Sequence, residues 1–393
     1  MQAKKLFILS IILLATMISC GGRNNQPTGD ILTINVSANF PERTMILQDF
    51  MDVEYIVLDD SDDFITQGIV RAVGNDVILV TNQLRDGNIF VFDRNTGEGL
   101  RVINRMGQGG QDYSGITSIV LDEENGEIFV QDARGRRRFV VYDLYGNYRR
   151  SFAYIDGFNW YDDIFNYDRN HLLVRRGAGG FHLEYTQISF SLICKQDGSV
   201  TREIEIAEEG EHRQLVVLAS GGSGLANSSF NTIAPYNNGW MLMHTASDTI
   251  FNLSDGVLTP LITRTPSVHS MRTETFLFPI FFTDQYYFMQ TIRREFNFNT
   301  GQGFPRTILM YDRQENAIFR AILYNDDFLN RGGIEIDART RPISHNIAFF
   351  EVLQAYQLVD AYENGELSGR LKEIASTLNE ESNPVIMLVK HRR

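Results

Sequence analysis

The sequence predicts an all-β protein with the architecture of a six-bladed β-propeller, and three observations support this fold class. Residues 107–146 contain four strand-like runs separated by turn residues, which is the content of one four-stranded blade. Polar turns with an aspartate recur along the chain, close to the ~40–50-residue period of propeller repeats. The 393 residues, of which 43% are apolar, also exceed what one ordinary sandwich or bundle buries. A ring of small sheets that share their apolar faces accommodates this length and composition.

Residues 1–19 are typical of a bacterial lipoprotein signal peptide. Lys4 and Lys5 precede an apolar run that ends at residue 17, which is shorter than the ~18–20 residues of a membrane-spanning helix. The sequence Met-Ile-Ser-Cys follows and resembles a lipobox, with Cys20 as the residue that receives the lipid. A plain secretory signal cleaved nearby is the alternative. Residues 20–30 are polar and without periodicity, which predicts a lipidated cysteine followed by a flexible tether.

The composition restricts the possible partners. The formal charge is −13, which argues against nucleic acid because phosphate backbones require clustered positive charge. If Cys20 carries lipid, Cys194 has no partner for an intramolecular disulfide, so the fold depends on its apolar core. We expect a membrane-anchored monomer, and no motif in the sequence predicts a cofactor.

The blades follow one another along the chain. The turns that mark them contain Asp93, Asp143, Asp197, Asp255 and Asp312, at intervals of 50, 54, 58 and 57 residues. This spacing predicts five blades, over residues 69–104, 116–153, 162–206, 228–262 and 276–323. Seven shorter blades or a pair of β-sandwiches are the alternatives. The near-constant interval argues against sandwiches, and the lack of a further turn signal between residues 325 and 384 argues against seven blades.

We expect the two ends of the chain to build the sixth blade together. A terminal strand at residues 385–389 follows Asn383-Pro384, and two early strand-like runs, residues 31–36 and 53–58, belong to none of the five blades. Pairing the terminal strand with either run would close the ring and remove its exposed edges. A helical pattern lies before the terminal strand, with apolar positions at Phe349, Phe350, Leu353, Leu367, Leu371, Ile374 and Leu378. The predicted propeller domain therefore covers residues 31–393, with short C-terminal helices inserted in its last blade.

Residues 106–152 resemble the NHL repeat, because a Gly-rich loop and an acidic turn lead to Ile-Phe-Val-Gln-Asp and then to Arg-Phe-Val-Val-Tyr-Asp-Leu-Tyr-Gly. Over nearly the whole chain, residues 247–256 (SDTIFNLSDG), the helix at 367–378 and residues 383–390 (NPVIMLVK) resemble a wider group. These are the uncharacterised six-bladed propeller lipoproteins of Gram-negative envelopes, which are NHL-like or TolB-like. The resemblance implies a secreted, anchored propeller, and it brings no active-site motif with it.

The sequence predicts no catalytic residues and no metal site. The seven histidines form neither HxH nor HExxH pairs. His182 and His244 fall in predicted loops on one face, where only tertiary contacts would bring them to a common ligand. Residues 221–224 lack the GxSxG pattern of a nucleophilic serine, and residues 107–110 lack the Lys-Ser/Thr pair of a phosphate-binding loop.

The arginines suggest a candidate binding surface. If each blade has four strands, A to D from the channel outward, the A–B and C–D turns lie on one face and the B–C and D–A loops on the other. The long loops of the second face hold Arg85, Arg105, Arg134, Arg136, Arg137, Arg175, Arg176, Arg293 and Arg294. Guanidinium groups suit an anionic ligand. The predicted ligand-binding residues are Arg105, Arg134, Arg136, Arg137, His244, Arg293 and Arg294. The alternative is that these arginines pair with neighbouring acids and are structural.

Two functional hypotheses follow. The first is an envelope lipoprotein that binds an anionic small molecule, a glycan or a protein partner through its long-loop, Arg-rich face. The second is a propeller lyase or hydrolase that acts on a carbohydrate or peptide at the channel mouth. No acidic residue directly follows Cys20, so we expect the periplasmic side of the outer membrane rather than the cell surface.

Mass spectrometry of the N-terminal peptide tests the predicted anchor. The mature chain should begin at diacylated Cys20 and fractionate with membranes, since two acyl chains give stable anchoring. A Cys20→Ser variant is the control and should remain unlipidated. An unmodified wild-type peptide that begins at another residue would contradict the prediction.

Overall fold

The computed structural model describes residues 31–82, 86–132, 137–154, 161–176, 189–206, 215–219, 224–228, 230–330, 334, 336 and 344–392. Leu32–Arg393 form one compact unit. Six small sheets form the blades of a β-propeller, so the predicted fold class is confirmed. The N-terminal elements are distributed over three of these sheets. They are β1 (Leu32–Asn35), β2 (Glu42–Ile46), α1 (Leu47–Phe50) and β3 (Met51–Val57).

Three four-stranded antiparallel blades come next. Blade 1 is β4 (Ile69–Val73), β5 (Val77–Thr81), β6 (Asn88–Asp93) and β7 (Gly99–Asn104). Blade 2 is β8 (Ser118–Asp122), β9 (Glu127–Asp132), β10 (Arg138–Asp143) and β11 (Tyr148–Ala153). Blade 3 is β12 (Tyr161–Asn166), β13 (His171–Arg176), β14 (Ser189–Cys194) and β15 (Val200–Ile204).

The remaining blades contain additional elements. A hairpin of β16 (Val216–Leu218) and β17 (Leu225–Asn227) precedes blade 4, which is β18 (Ile233–Tyr236), β19 (Gly239–Met243), β20 (Thr249–Ser254) and β21 (Val257–Thr265). A short 3-10 turn, Val268–Ser270, leads to β22 (Thr275–Phe282) and β23 (Tyr286–Arg293). Blade 5 continues through the small hairpin β24 (Phe296–Asn297) and β25 (Gln302–Gly303) into β26 (Arg306–Asp312) and β27 (Ala317–Tyr324). Blade 6 holds β28 (Ile347–Leu353), α2 (Ala355–Glu363), α3 (Gly369–Ala375) and β29 (Val385–His391).

The burial of each strand follows from its place in the blade. The middle strands β5 and β10 are buried at every position, because both faces of the sheet contact a neighbouring blade. The outer strand β7 alternates between partly buried and exposed residues over most of its length. An apolar core therefore lies between each pair of neighbouring sheets rather than at one centre.

The recurrent aspartates have a local structural role. In blades 1, 2 and 5 the aspartate is the last residue of the third strand, and its Oδ1 accepts hydrogen bonds from backbone N–H groups of the following turn. Blades 3 and 4 differ, since Cys194 and Ser254 hold that strand-end position and Asp197 and Asp255 lie in the turn itself. The turns close with positive φ angles at Gly97, Gly146, Gly198, Gly256 and Asn316.

Hydrogen bonds place the A–B and C–D turns on the same face, which we call the turn face. The amide of Arg94 donates to Asp76 O in blade 1 at 2.9 Å, and the amide of Lys195 donates to Asn170 O in blade 3 at 2.9 Å. Arginines of the outer strands also bridge consecutive blades. Arg101 Nη1 donates to Leu144 O at 2.9 Å, and Arg150 Nε donates to Lys195 O at 3.0 Å.

The C-terminal strand closes the ring. β29 pairs antiparallel with β28 on one side and with β3 on the other, in the register Val385↔Val57 to His391↔Met51. The predicted closure by the terminal strand against residues 53–58 is therefore confirmed. The predicted strand at residues 31–36 has a different partner, because β1 runs parallel to β21 as a fifth strand of blade 4. β2, which the sequence analysis missed, lies in the same way on β27 of blade 5.

One local prediction was wrong. Phe349, Phe350 and Leu353 belong to β28 and not to a helix, since pairing with β29 overrides their helix-like spacing. In the hairpin β24–β25 the ring of Phe296 packs against the rings of Phe298 and Phe304, with centroids 4.8 and 5.8 Å apart. The expected C-terminal helices are present as α2 and α3. Within the described part of the chain, no helix is long and apolar enough to cross a membrane.

Replacing Leu388 with Ala tests the closure. Leu388 is fully buried in β29, between Phe350 and Glu54 of the flanking strands, so the cavity left behind should cost about 2–5 kcal/mol and lower the melting temperature. Val257→Ala, at the exposed first residue of β21, is the control, with an expected change within about 0.5 kcal/mol. Thermal unfolding followed by circular dichroism measures both. Equal melting temperatures would mean that the seam contributes little to stability.

Candidate functional site

A cavity of about 1280 Å³ occupies the central channel. Its walls come from five blades: residues 70–75 and 94–95 of blade 1, residues 117–121, 123, 124 and 131 of blade 2, residues 161 and 164–166 of blade 3, Trp240 of blade 4, and Glu54, residues 344–347, Phe350 and Lys390 of blade 6. The lining follows β8 from Ser118 to Leu121 and includes Glu123 and Glu124 of the A–B turn after it. The cavity therefore runs along the innermost strands and reaches the turn face.

An ion network lies on the wall between blades 6 and 1. Arg94 binds the Glu54 carboxylate with two hydrogen bonds, of 2.8 and 3.0 Å, and Lys390 Nζ lies 2.8 Å from Glu54 Oε2. The hydrogen bonds from Arg94 and Lys390 outweigh the effect of partial burial and lower the pKa of Glu54 from 4.5 to about 2. Glu54 is therefore ionised near neutral pH and is unsuited to donate a proton to a substrate.

The Glu123 carboxylate fixes the neighbouring turn of blade 1. Its oxygens accept hydrogen bonds from the amides of Asn75, Asp76 and Val77, at 2.5, 2.9 and 3.1 Å. A Cβ atom on Gly74 would lie 2.1 Å from Glu123 Oε1, so the close approach requires a glycine. This side chain is thus used in joining blade 2 to blade 1.

Amide and hydroxyl groups supply most of the other polar surface. The lining contains Asn75, Asn95, Thr117, Ser118, Gln131, Asn166, Ser344 and Asn346. Gln131 is 1% exposed, and its Nε2 donates to Tyr161 O at 3.1 Å. The buried oxygens Gln131 Oε1 and Asn166 Oδ1 have no hydrogen-bond partner among the described residues.

Aromatic rings form part of the wall. Trp240 packs against Phe165 and against His345, with ring centroids 5.0 Å apart in both cases. His345 Nε2 lies 2.9 Å from Gly239 O, which fixes the imidazole beside the indole. Phe165 and Phe350 are only partly buried, so their rings offer apolar surface to the channel.

Three of the predicted arginines, Arg105, Arg293 and Arg294, contact neighbouring protein groups. Arg105 Nε donates to Gly146 O at 2.9 Å, Arg293 pairs with Glu295 at 2.9 Å, and Arg294 pairs with Glu274 at 3.2 Å and donates to Val216 O. Arg137 is exposed and has a positive φ of 49°. No contact recorded for the described residues joins Arg293 and Arg294 to Arg105 or Arg137. Arg134 and Arg136 lie outside the described residues, as do Cys20 and His182. A binding role for these residues stays a prediction.

Two other features of the sequence analysis have structural explanations. The guanidinium of Arg138 donates to Gly110 O and Asp112 O at 2.7 and 2.5 Å, so it holds the Gly-rich loop in place between blades 1 and 2. His244 is 1% exposed, and its Nδ1 accepts a hydrogen bond from the Ala246 amide at 3.0 Å. Among the residues that the structure describes, no group of three His, Cys, Asp or Glu side chains could hold a metal ion.

Comparison with known protein families identifies the family of this sequence. The profile described as "Domain of unknown function (DUF4934)" matches residues 31–390. The chain belongs to this family. The match covers nearly all of the predicted propeller domain, so the family is defined by the same residues that form the propeller. No curated protein matches the sequence.

The solved structures that are similar to this DUF4934 member include two from Bacteroides species. A "Putative exported protein" from Bacteroides fragilis NCTC 9343 shares 13% identity at a TM-score of 0.57, with 92% of this chain and 99% of that one covered. A member of the DUF4221 family from Bacteroides vulgatus ATCC 8482 shares 8% identity at a TM-score of 0.45, with 88% and 98% covered. At such identities, the first likeness supports the fold alone.

The sequence analysis missed the residues of the channel wall. Glu54, Lys390, Gln131 and Asn166 looked like ordinary strand residues, because their common location depends on ring closure. For Asn166 the available signal was its position on the first strand of a blade, since residues of the innermost strands face the axis of the ring. Glu54, Lys390 and Gln131 lie on other strands, and this signal does not identify them.

The ion network predicts a pH-dependent loss of stability. A Glu54→Gln variant should melt at a lower temperature than wild type at about pH 7, because the depressed pKa means that the ionised carboxylate stabilises the fold. This contribution is present above the unfolded pKa of about 4.5 and disappears as the pH falls through about 2. The gap in melting temperature should narrow over that window. Glu295→Gln, in an exposed pair with Arg293, is the control and should change little. A gap that is constant with pH would contradict the assigned network.

Proposed function

We propose that this protein is a binding module of the cell envelope and that its ligand occupies the central channel. One observation carries the proposal: a cavity of about 1280 Å³, lined by five blades, combines aromatic rings with many polar side chains. Ligand sites are usually concave, with apolar walls and a few placed polar groups.

The envelope location rests on the sequence. The signal-like residues 1–19 and the lipobox-like ending at Cys20 support a lipid anchor, and the polar residues 20–30 provide a tether. The name of the Bacteroides fragilis neighbour agrees with export. We place the protein on the periplasmic side of the outer membrane and regard residues 31–393 as its propeller domain.

Binding fits the channel better than catalysis does. A hydrolytic site of the two-carboxylate type needs one carboxyl group with a raised pKa as proton donor. Glu54 has a lowered pKa, and Glu123 is engaged by three backbone amides. Glu124, the third carboxylate of the lining, is exposed and lies 3.8 Å from Arg169. The lining therefore recognises a ligand through hydrogen bonds and apolar contacts.

The Arg-rich long-loop face is a second proposed surface, for an anionic ligand. Arg293 and Arg294 are the residues to test there, because both are described and both lie at the end of β23. Their pairing with Glu295 and Glu274 supports a mainly structural role. If the ligand binds in the channel, a channel variant should lose binding and an arginine variant should keep it. If the ligand binds at the Arg-rich face, the reverse is expected.

A binding screen with two variants distinguishes the surfaces. The mature chain, from residue 20, is titrated calorimetrically with neutral oligosaccharides, acidic sugars, inorganic phosphate and blocked peptides. Ser118→Trp places a bulky ring in the channel from the half-buried start of β8, and Arg293→Ala/Arg294→Ala changes the other face. We expect a ligand whose binding is lost in Ser118→Trp and retained in the double arginine variant. The reverse pattern, or no binding by wild type, would overturn the channel as the site.

A further inference from the structure

The charges of the channel wall balance. The described lining has three carboxylates, Glu54, Glu123 and Glu124, and three cations, Arg71, Arg94 and Lys390, so its formal charge is zero. The whole chain, in contrast, carries −13. A site built for an anion or a cation would carry an excess of the opposite charge. This channel carries none.

Each of these six charged side chains also has a partner in the protein. Glu54, Arg94 and Lys390 bind one another, and Glu123 accepts three backbone hydrogen bonds. Arg71 Nε donates to Thr81 Oγ1 at 2.7 Å, and Glu124 lies 3.8 Å from Arg169 near the turn face. An ionic ligand that binds Glu54, Arg94 or Lys390 would have to compete with their network, in which the Arg94 side chain is only 9% exposed. Glu124 is exposed and Arg71 bonds a neutral hydroxyl, so these two side chains restrict an ionic ligand less.

The groups that remain for recognition are amides and hydroxyls. Gln131 Oε1 and Asn166 Oδ1 are buried acceptors without a partner among the described residues, and both belong to the cavity wall. Terminal amide torsions are broad, so rotation of the Asn166 amide can bring its oxygen to a donor in the channel, whereas the Gln131 amide is held by its hydrogen bond to Tyr161 O. Amides and hydroxyls both donate and accept, which matches the hydroxyl groups of a sugar at every ring position.

The apolar part of the wall and the size of the cavity further restrict the class of ligand that fits. Phe165 and Phe350 are partly buried rings, and their electron-rich faces suit the C–H face of a pyranose. The volume of about 1280 Å³ exceeds the ~300–1,000 Å³ typical of small-molecule pockets. The channel therefore has room for several sugar units rather than one.

We infer that the channel binds a neutral oligosaccharide, recognised by Asn166 and by the rings of Phe165 and Phe350. This inference rests on the proposed function and specifies its ligand. A blocked peptide also presents amide donors, but it does not repeat the donor-and-acceptor hydroxyls that the wall matches. The experiment must therefore distinguish peptide binding from binding of a neutral sugar.

The mature chain is titrated calorimetrically with neutral tetrasaccharides of glucose, xylose, mannose and N-acetylglucosamine, with tetragalacturonate, and with a blocked tetra-alanine peptide. At least one neutral tetrasaccharide should bind, and Asn166→Ala should weaken it about tenfold or more, as loss of one hydrogen bond to a polar ligand does. Asn299→Ala, at an exposed position of the β24–β25 hairpin outside the cavity, should leave binding unchanged. Raising the salt from about 50 to 500 mM should alter the affinity less than about twofold, because no ion pair forms.

The outcomes separate this inference from the proposed function. If tetragalacturonate or the peptide binds and Ser118→Trp abolishes that binding, the channel is the site and the neutral-sugar inference is wrong. If a neutral sugar binds equally well to Ser118→Trp and Asn166→Ala, the channel is not its site and both proposals fail. Strong salt dependence of neutral-sugar binding in the wild type would also overturn the inference.

Discussion

The two apolar faces of every blade impose the constraint on which the fold depends. A blade within the series covers both faces with its neighbours, so the first and last blades must meet or each would leave an apolar face in water. They meet through β29, whose Ile386 and Leu388 pack with Val70 and Phe90 of blade 1. On its other side, blade 6 shares a core with Phe281 and Phe288 of blade 5. A single terminal strand, held between β28 and β3, therefore completes two cores at once.

The closure seam and the candidate site are parts of one structure. Arg94 comes from blade 1, Glu54 and Lys390 come from the N- and C-terminal strands of blade 6, and all three line the channel. The charged groups that join blades 6 and 1 are therefore already paired with one another at the channel surface. The polar character of the channel then depends on amides and hydroxyls, while the excess negative charge of the chain lies elsewhere. The same three side chains thus hold the ring closed and set the charge of the channel wall.

The fold was largely predictable because its signals are local. An aspartate at or just after the end of the third strand, followed by a residue of positive φ, marks the C–D turn of blades 1 to 5, as Asp93 and Gly97 do in blade 1. The parallel strands β1 and β2 were not predictable in the same way, since their partners lie far along the chain. The channel wall was missed for a similar reason. Gln131 and Asn166 line a common cavity only because the blades are arranged around an axis. Clustered arginines such as Arg293 and Arg294 are conspicuous in the sequence, although each pairs with a glutamate in the structure.

The placement of the first three strands determines when the molecule can fold. Leu32 pairs with Ile262, Glu42 with Arg320 and Met51 with His391, so each early strand waits for a partner that is synthesised much later. Such pairings between distant residues are slow to form. In a growing chain β1 can pair once β21 has been made and β2 once β27 has been made, whereas β3 stays unpaired until β29 is available. A chain that lacks β29 would therefore expose strand edges that invite association with other chains.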